Sequence, residues 1–150
     1  MSKKTLDGFL ERHRRIALDT GVVIYAVEAN PKYFDLAGLI FNWVQMEGSA
    51  VTSTVTMTEA LVRPYRLGDI EAVDKFYAFL LTYPHLEWVQ PTLNIAARAA
   101  QIRAEYNLRT PDALQAATAI TTGVTGLISN EIAFRRIKLL NVLILDEMLQ

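Results

Sequence analysis

Short apolar runs alternate with longer amphipathic stretches along the chain. Each apolar run has the length of a buried strand, and the run over residues 50–56 is rich in β-branched residues, which favour strands. The pattern predicts five strands, over residues 15–19, 50–56, 86–90, 126–130 and 141–145. A short helical turn is expected between the last two.

Between these strands, apolar residues recur three and four positions apart, which places them on one face of a helix. Asn30 and Pro31 predict a helix start, and Gly48 predicts the end of that helix. Its apolar face holds Tyr33, Leu36, Ala37, Ile40, Phe41 and Val44. Further helices are predicted from Thr58 to Pro64, over residues 92–106 and from Thr110 to Gly123. Another is predicted to begin at a cap, Asp69, and its apolar side holds Ile70, Val73, Tyr77, Leu80 and Leu81.

This alternation favours an α/β domain whose mostly parallel central sheet carries helices on both faces. The sequence contains no internal repeat, low-complexity tract or linker, so a single domain over residues 1–150 is expected. In such sheets, ligands bind beyond the carboxyl ends of the strands, near the point where the strand order reverses. Functional side chains are therefore expected at that edge.

Composition and charge narrow the class of protein. Hydrophobic residues make up 51% of the chain, which suggests that a partner or second copy covers some apolar surface, although a large core also accounts for it. No apolar run approaches the roughly 20 residues of a membrane span, and the N-terminus lacks the apolar core of a secretory signal. The absence of cysteine excludes disulfides and thiolate metal ligands and fits a reducing cytoplasm.

The net charge of −1 argues against a protein that binds nucleic acid through a generally basic surface. Basic residues nevertheless concentrate near the N-terminus, where five of them stand against two acidic ones in residues 1–15. We interpret residues 1–14 as a leading helix with a solvated surface; a basic arm is the alternative.

Four acidic residues stand where a predicted strand or loop passes into a helix. They are Asp19 after the first strand, Glu59 after the second, Asp112 in the first turn of the helix begun by Thr110, and Glu131 after the fourth strand. A parallel sheet would bring these positions to one edge. Carboxylates in that arrangement are hard oxygen ligands suited to Mg²⁺ or Mn²⁺.

Each of these acids also has a purely structural interpretation. Thr56 and Glu59 have the spacing of a capping box, Asp112 would complement the helix dipole, and Asp19 would cap a helix that begins near Val22. Other kinds of site are disfavoured, because the sequence contains no nucleophile elbow, dinucleotide fingerprint or P-loop. Neither His13 nor His85 lies in a recognisable catalytic pattern.

Four segments resemble the motifs of one family in order and spacing. They are "LDTGVVIYAVE", "TSTVTMTEAL", "LRTPDALQAATAI" and "LISNEIAF". Together they are similar to the PIN-domain ribonucleases, and within these to the compact VapC-like toxins of bacterial toxin–antitoxin pairs, from Ile16 to about Leu145. Two positions depart from that pattern: Glu131 stands where aspartate is usual, and Gly21 where asparagine is common.

The resemblance implies a PIN-like α/β/α sandwich that hydrolyses RNA phosphodiester bonds with Mg²⁺ or Mn²⁺. It implies Asp19, Glu59, Asp112 and Glu131 as catalytic residues, with Asp19, Asp112 and Glu131 as metal ligands. Supporting roles are expected for Thr20, Ser129 and Asn130 beside the acids, and for Arg63, Arg135 and Arg136 on RNA phosphates.

The implied partners are an RNA substrate, a cognate antitoxin and a second copy of the chain, in the cytoplasm. The alternative is a PIN-fold module that is catalytically weak and binds protein or RNA. Divalent-metal binding would discriminate between the two.

Overall fold

A computed structural model describes residues 2–149. Five parallel strands form one sheet in the order β3-β2-β1-β4-β5. The strands are β1 (Arg15–Leu18), β2 (Ser49–Ser53), β3 (Leu86–Val89), β4 (Gly126–Ser129) and β5 (Asn141–Ile144). The helices are α1 (Ser2–Arg12), α2 (Thr20–Val27), α3 (Phe34–Met46), α4 (Val55–Leu67), α5 (Ile70–Thr82), α6 (Leu93–Tyr106) and α7 (Thr110–Thr121), with 3₁₀ helices at Ile132–Arg136 and Leu145–Leu149.

The sheet is covered on both faces because side chains alternate along each strand. In β1, Ile16 and Leu18 join the core formed with the first five helices, whereas Ala17 joins the core formed with α6 and α7. The predicted α/β/α sandwich with a mostly parallel sheet is confirmed. Among residues 2–149, none of the helices combines the length and apolar character that a membrane crossing requires.

Strand β1 lies at the point where the strand order reverses. Ala17 is in register with Val51 of β2 on one side and with Leu127 of β4 on the other. The chain fills β2 and β3 on the first side and then returns to β4 and β5 on the second. The carboxyl end of β1 is therefore the switch point of the sheet, where such folds bind ligands.

Several predicted boundaries shift in the structure. The helix expected from Asn30 begins at Phe34, because the Asn30 side chain instead accepts a hydrogen bond from the backbone of Lys32 at 2.9 Å and forms a turn. Helix α4 continues through Pro64 and ends at Leu67, followed by Gly68, whose φ of 63° forms a left-handed cap.

Helix α1 has the expected solvated surface on one side only: Lys3, Lys4, Glu11 and Arg12 are exposed, whereas Leu6, Phe9 and Leu10 are buried against the core. Only part of the apolar side predicted for α5 is covered: Val73 is buried, whereas Leu81 is 87% exposed.

Candidate functional site

Asp19 is the first side chain beyond β1, and it caps α2. Its carboxylate accepts hydrogen bonds from the Thr20 backbone N–H at 2.8 Å and from the Ser129 hydroxyl at 2.7 Å. The cap is real, but α2 begins at Thr20 rather than near Val22. The pKa of Asp19 is raised to about 6, mainly by burial. The two hydrogen bonds lower this pKa, whereas the nearby charges of Asp112 and Glu59 contribute to the rise.

Glu59 is not part of a capping box, because α4 begins at Val55 and so places Glu59 beyond the first turn of the helix. The helix start is instead satisfied by Ser53, whose hydroxyl accepts from the Val55 N–H at 3.1 Å. One Glu59 carboxylate oxygen accepts a 2.7 Å hydrogen bond from the Thr20 hydroxyl. Glu59 therefore faces the end of β1.

A buried polar network lies beneath these acids, and sequence reasoning missed it. The Gln115 side chain donates to Thr56 Oγ1 at 2.7 Å and to Thr20 Oγ1 at 3.3 Å, while its carbonyl oxygen accepts from the Ser53 N–H at 3.2 Å. Gln115 is only 3% exposed. The available signal was its position three residues after Asp112, on the same face of a helix of otherwise small residues.

The donors in this network can be assigned because each hydroxyl carries one hydrogen. Thr52 donates to the Leu18 carbonyl at 2.8 Å, so Thr56 must be the donor in its 2.7 Å contact with Thr52. Thr20 donates to Glu59 and accepts from Gln115. The network thus has two branches from Gln115: one runs through Thr20 to the carboxylate of Glu59, and the other runs through Thr56 and Thr52 to the Leu18 carbonyl.

Asp112 lies in the first turn of α7 and is 5% exposed. Arg109 holds both of its carboxylate oxygens, from Nε to Oδ2 at 3.0 Å and from Nη2 to Oδ1 at 3.3 Å. Burial raises the pKa of Asp112, the Arg109 guanidinium opposes that rise, and the charge of Glu131 adds to it. Arg109 was not predicted as a site residue, although an Arg three positions before a helix-start Asp is a recognisable ion-pair spacing.

Glu131 follows β4 and caps the 3₁₀ helix Ile132–Arg136 by accepting from the Ala133 N–H at 3.1 Å. Its own N–H donates to Ser129 Oγ at 2.8 Å, and that hydroxyl in turn donates to Asp19. Ser129 therefore connects the segments that carry two of the four acids.

The Asn130 side chain forms its hydrogen bonds with Tyr25 on α2 and with Asp146 near the end of the chain. Its amide donates to the Tyr25 hydroxyl at 3.1 Å, and its oxygen accepts from the Asp146 N–H at 2.8 Å. Tyr25 stacks on Tyr33 with ring centroids 4.1 Å apart. Asn130 thus ties β4 to α2 and to the chain end.

The three arginines predicted to contact RNA differ in their surroundings. Arg135 donates two hydrogen bonds of 2.6 Å to Glu147, and Arg136 donates to the carbonyls of Tyr106 and Asn107 at 3.1 and 3.2 Å. Arg63 is exposed one helical turn after Glu59 and lines a cavity of about 320 Å³ between α2, α4 and α5. Arg63 therefore borders a concavity whose lining includes none of the four acids.

The four acids interact electrostatically but do not form a closed ligand shell. Asp112 and Glu59 act on Asp19, and Glu131 acts on Asp112, so their charges lie within interaction range. Within residues 2–149, however, no three His, Cys, Asp or Glu side chains are grouped so that they could hold a metal ion. The donor set has the oxygen chemistry that Mg²⁺ or Mn²⁺ prefers, while Arg109 holds one of its members.

Comparison with known proteins places this geometry in context. The family model for the PIN domain matches residues 16–140, and no curated protein matches the sequence. A toxin–antitoxin complex from Klebsiella pneumoniae has a TM-score of 0.65 and 20% identity, over 87% of this chain and 97% of that one.

Two further structures contain DNA. VapBC2 from Rickettsia felis bound to a DNA fragment from its promoter has a TM-score of 0.66 and 20% identity, over 86% of this chain and 97% of that one. DNA-bound VapBC from Salmonella typhimurium has a TM-score of 0.63 and 21% identity, over 87% and 98%. The structures share the fold, and the family model spans most of the sequence: the chain belongs to the PIN domain family.

Proposed function

We propose that this PIN domain is a metal-dependent endoribonuclease of the VapC toxin type. The observation that carries the proposal is the grouping of Asp19, Glu59, Asp112 and Glu131 near the switch point of the sheet, where Asp112 and Glu59 add to the raised pKa of Asp19 and Glu131 adds to that of Asp112. Buried like charges are costly unless a cation compensates them. The structural neighbours, which are toxin–antitoxin complexes, support the toxin assignment.

Asp19, Asp112 and Glu131 would hold Mg²⁺ or Mn²⁺, which would supply positive charge for an RNA phosphate and lower the pKa of water. The chain's own residues do the positioning. Ser129 fixes one oxygen of Asp19, and Thr20 fixes one oxygen of Glu59. Glu59 is thereby oriented to accept a proton from, or to align, the attacking water.

Arg63 is placed to contact an RNA phosphate, because it is exposed and lies one turn beyond Glu59 on α4. The two other predicted RNA contacts, Arg135 and Arg136, would have to exchange their protein partners for phosphate. We assign Arg63 the larger share of phosphate binding for that reason.

An antitoxin and a second copy of this chain are the proposed protein partners, in the cytoplasm where the RNA substrate is made. The apolar side chains that α4 and α5 leave uncovered support a protein interface. They are Val62, Tyr65, Leu67, Ile70, Tyr77 and Leu81, each at least 41% exposed.

A PIN-fold module without catalysis is the second candidate. The observation in its favour is the Arg109–Asp112 pair, which satisfies a buried carboxylate without any metal. In that interpretation the acids would be structural, and the chain would act through the apolar surface of α4 and α5.

Cleavage of structured RNA by the full chain in Mn²⁺ or Mg²⁺, with and without a chelator, separates these candidates. We expect cleavage that requires the metal and is lost in Asp112→Asn, which removes the charge at nearly constant volume. Absence of cleavage in every metal would favour the non-catalytic module. Cleavage that persists in Asp112→Asn would contradict the assigned site.

A further inference from the structure

Arg109 reaches from the surface onto a buried acid of the site. Its side chain is 71% exposed, whereas that of Asp112 is 7% exposed, and two hydrogen bonds of 3.0 and 3.3 Å join the guanidinium to both carboxylate oxygens. Bidentate hydrogen bonding between a guanidinium and a carboxylate is the strongest form of this ion pair. The negative charge of Asp112 therefore already has a counter-ion within this chain.

The guanidinium also lies within the field of the other acids. Besides its contact with Asp112, it interacts electrostatically with Glu131 and Glu59. Arg109 is thus a cation that three of the four carboxylates attract, as they would attract a divalent ion.

The backbone around Arg109 is fixed independently of this pair. Arg103 donates to the Leu108 carbonyl and to Thr110 Oγ1, both at 2.9 Å, and so anchors the residues on either side of Arg109. The exposed Arg109 side chain can consequently leave Asp112 by rotating about its own bonds, without moving the start of α7.

We propose that Arg109 is a displaceable internal counter-ion of the acidic site, which holds Asp112 while no metal is bound and swings into solvent when a divalent cation takes its place. The inference rests on the proposed metal-dependent function. A positive charge on both Asp112 oxygens repels a cation directed at the same oxygens, so Arg109 weakens metal binding while it stabilises the metal-free fold.

The test compares Arg109→Gln with the wild type by titration calorimetry of Mn²⁺ and by thermal melting in chelator. Glutamine retains polarity but lacks the charge and the fork. We expect Mn²⁺ to bind about tenfold more tightly to the variant, and the variant to melt lower in chelator. Arg66→Gln is the charge-matched control, because Arg66 is exposed in the last turn of α4; its Mn²⁺ affinity should change less than about twofold.

Arg109→Lys supplies a second variant in which the charge remains and the fork is lost. We expect its Mn²⁺ affinity to fall between those of the wild type and Arg109→Gln. If wild type and Arg109→Gln bind Mn²⁺ equally, or if Arg109→Gln melts like the wild type in chelator, the counter-ion role is wrong while the metal-dependent function stands. If neither protein binds millimolar Mn²⁺, both proposals are wrong.

Discussion

The Thr20 hydroxyl donates a 2.7 Å hydrogen bond to Glu59, which joins the residue after Asp19 to the helix that follows β2. The same hydroxyl accepts from Gln115, so its only hydrogen is committed to the carboxylate. Thr20 is 7% exposed, and a buried polar group without a partner is costly. The orientation of Glu59 is therefore determined by a network that begins on α7.

Thr20→Val should damage both stability and activity. Valine matches the shape of threonine but neither donates to Glu59 nor accepts from Gln115, and an unsatisfied buried group costs about 1–3 kcal/mol. Urea unfolding should show a loss of that size, and the rate of RNA cleavage should fall. Thr20→Ser, which keeps the hydroxyl, is the control and should retain most of both; a fully active valine variant would show that Thr20 does not position Glu59.

Glu59→Gln separates charge from hydrogen bonding at the same position. The amide oxygen of glutamine can still accept from Thr20, and the start of α4 does not depend on Glu59. We expect the free energy of unfolding to stay within about 0.5 kcal/mol of wild type while RNA cleavage is lost. A variant that melts lower but cleaves RNA normally would mean that Glu59 has a structural role.

Substitutions at Glu131 can separate its role in capping the 3₁₀ helix from its negative charge. Glu131→Gln keeps an oxygen that accepts from Ala133, whereas Glu131→Ala removes it and should cost about 1 kcal/mol. If Glu131 holds metal, calorimetry should show weaker Mn²⁺ binding in both variants. Glu131→Asp should retain both the cap and the metal. Unchanged Mn²⁺ affinity and cleavage rate in Glu131→Ala would leave this position without a catalytic role.

The sheet and the edge that carries the acids were predictable because strand–helix alternation is a local pattern with few topological solutions. Asp19 follows β1 directly, so its place at the switch point follows from the strand prediction alone. The alternation also predicted which side of α3 is buried, since Ile40 and Val44 lie on its apolar face and are completely covered.

The missed features depend on contacts that are distant in sequence. Gln115 meets Thr20 across 95 positions, and no local pattern encodes that pairing. The alternative interpretation of Glu59 as part of a capping box was wrong because the chain turns at Ser53, earlier than the β-branched run suggested. On α5, periodicity identified an apolar side that includes Leu81, but it does not specify what covers that side.

Asp19 predicts how the stability of the metal-free protein depends on pH. Its pKa of about 6 in the folded state exceeds the ordinary value of 3.8, so between these pH values the native state holds a proton that the unfolded state has released. Stability must therefore fall as pH rises through this window. The full effect is about 3 kcal/mol at most, and the raised pKa of Asp112 acts in the same direction.

Asp19→Asn removes this titration while keeping the cap, because asparagine caps a helix about as well as aspartate. In chelator, the variant should have the same Tm as the wild type near pH 4 and a higher Tm at pH 7.5. We assign the smaller pH dependence of stability that remains to Asp112. Metal should close most of this gap at pH 7.5, since Mn²⁺ at about 100 times its Kd adds about 2.7 kcal/mol to a native state that binds it, against at most about 3 kcal/mol from the raised pKa of Asp19. Thermal melts of both proteins at the two pH values, with chelator and with Mn²⁺, measure each effect separately. If the Tm of both proteins depends on pH in the same way, folding does not raise the pKa of Asp19. If Mn²⁺ raises the Tm of both proteins equally, Asp19 is not a metal ligand.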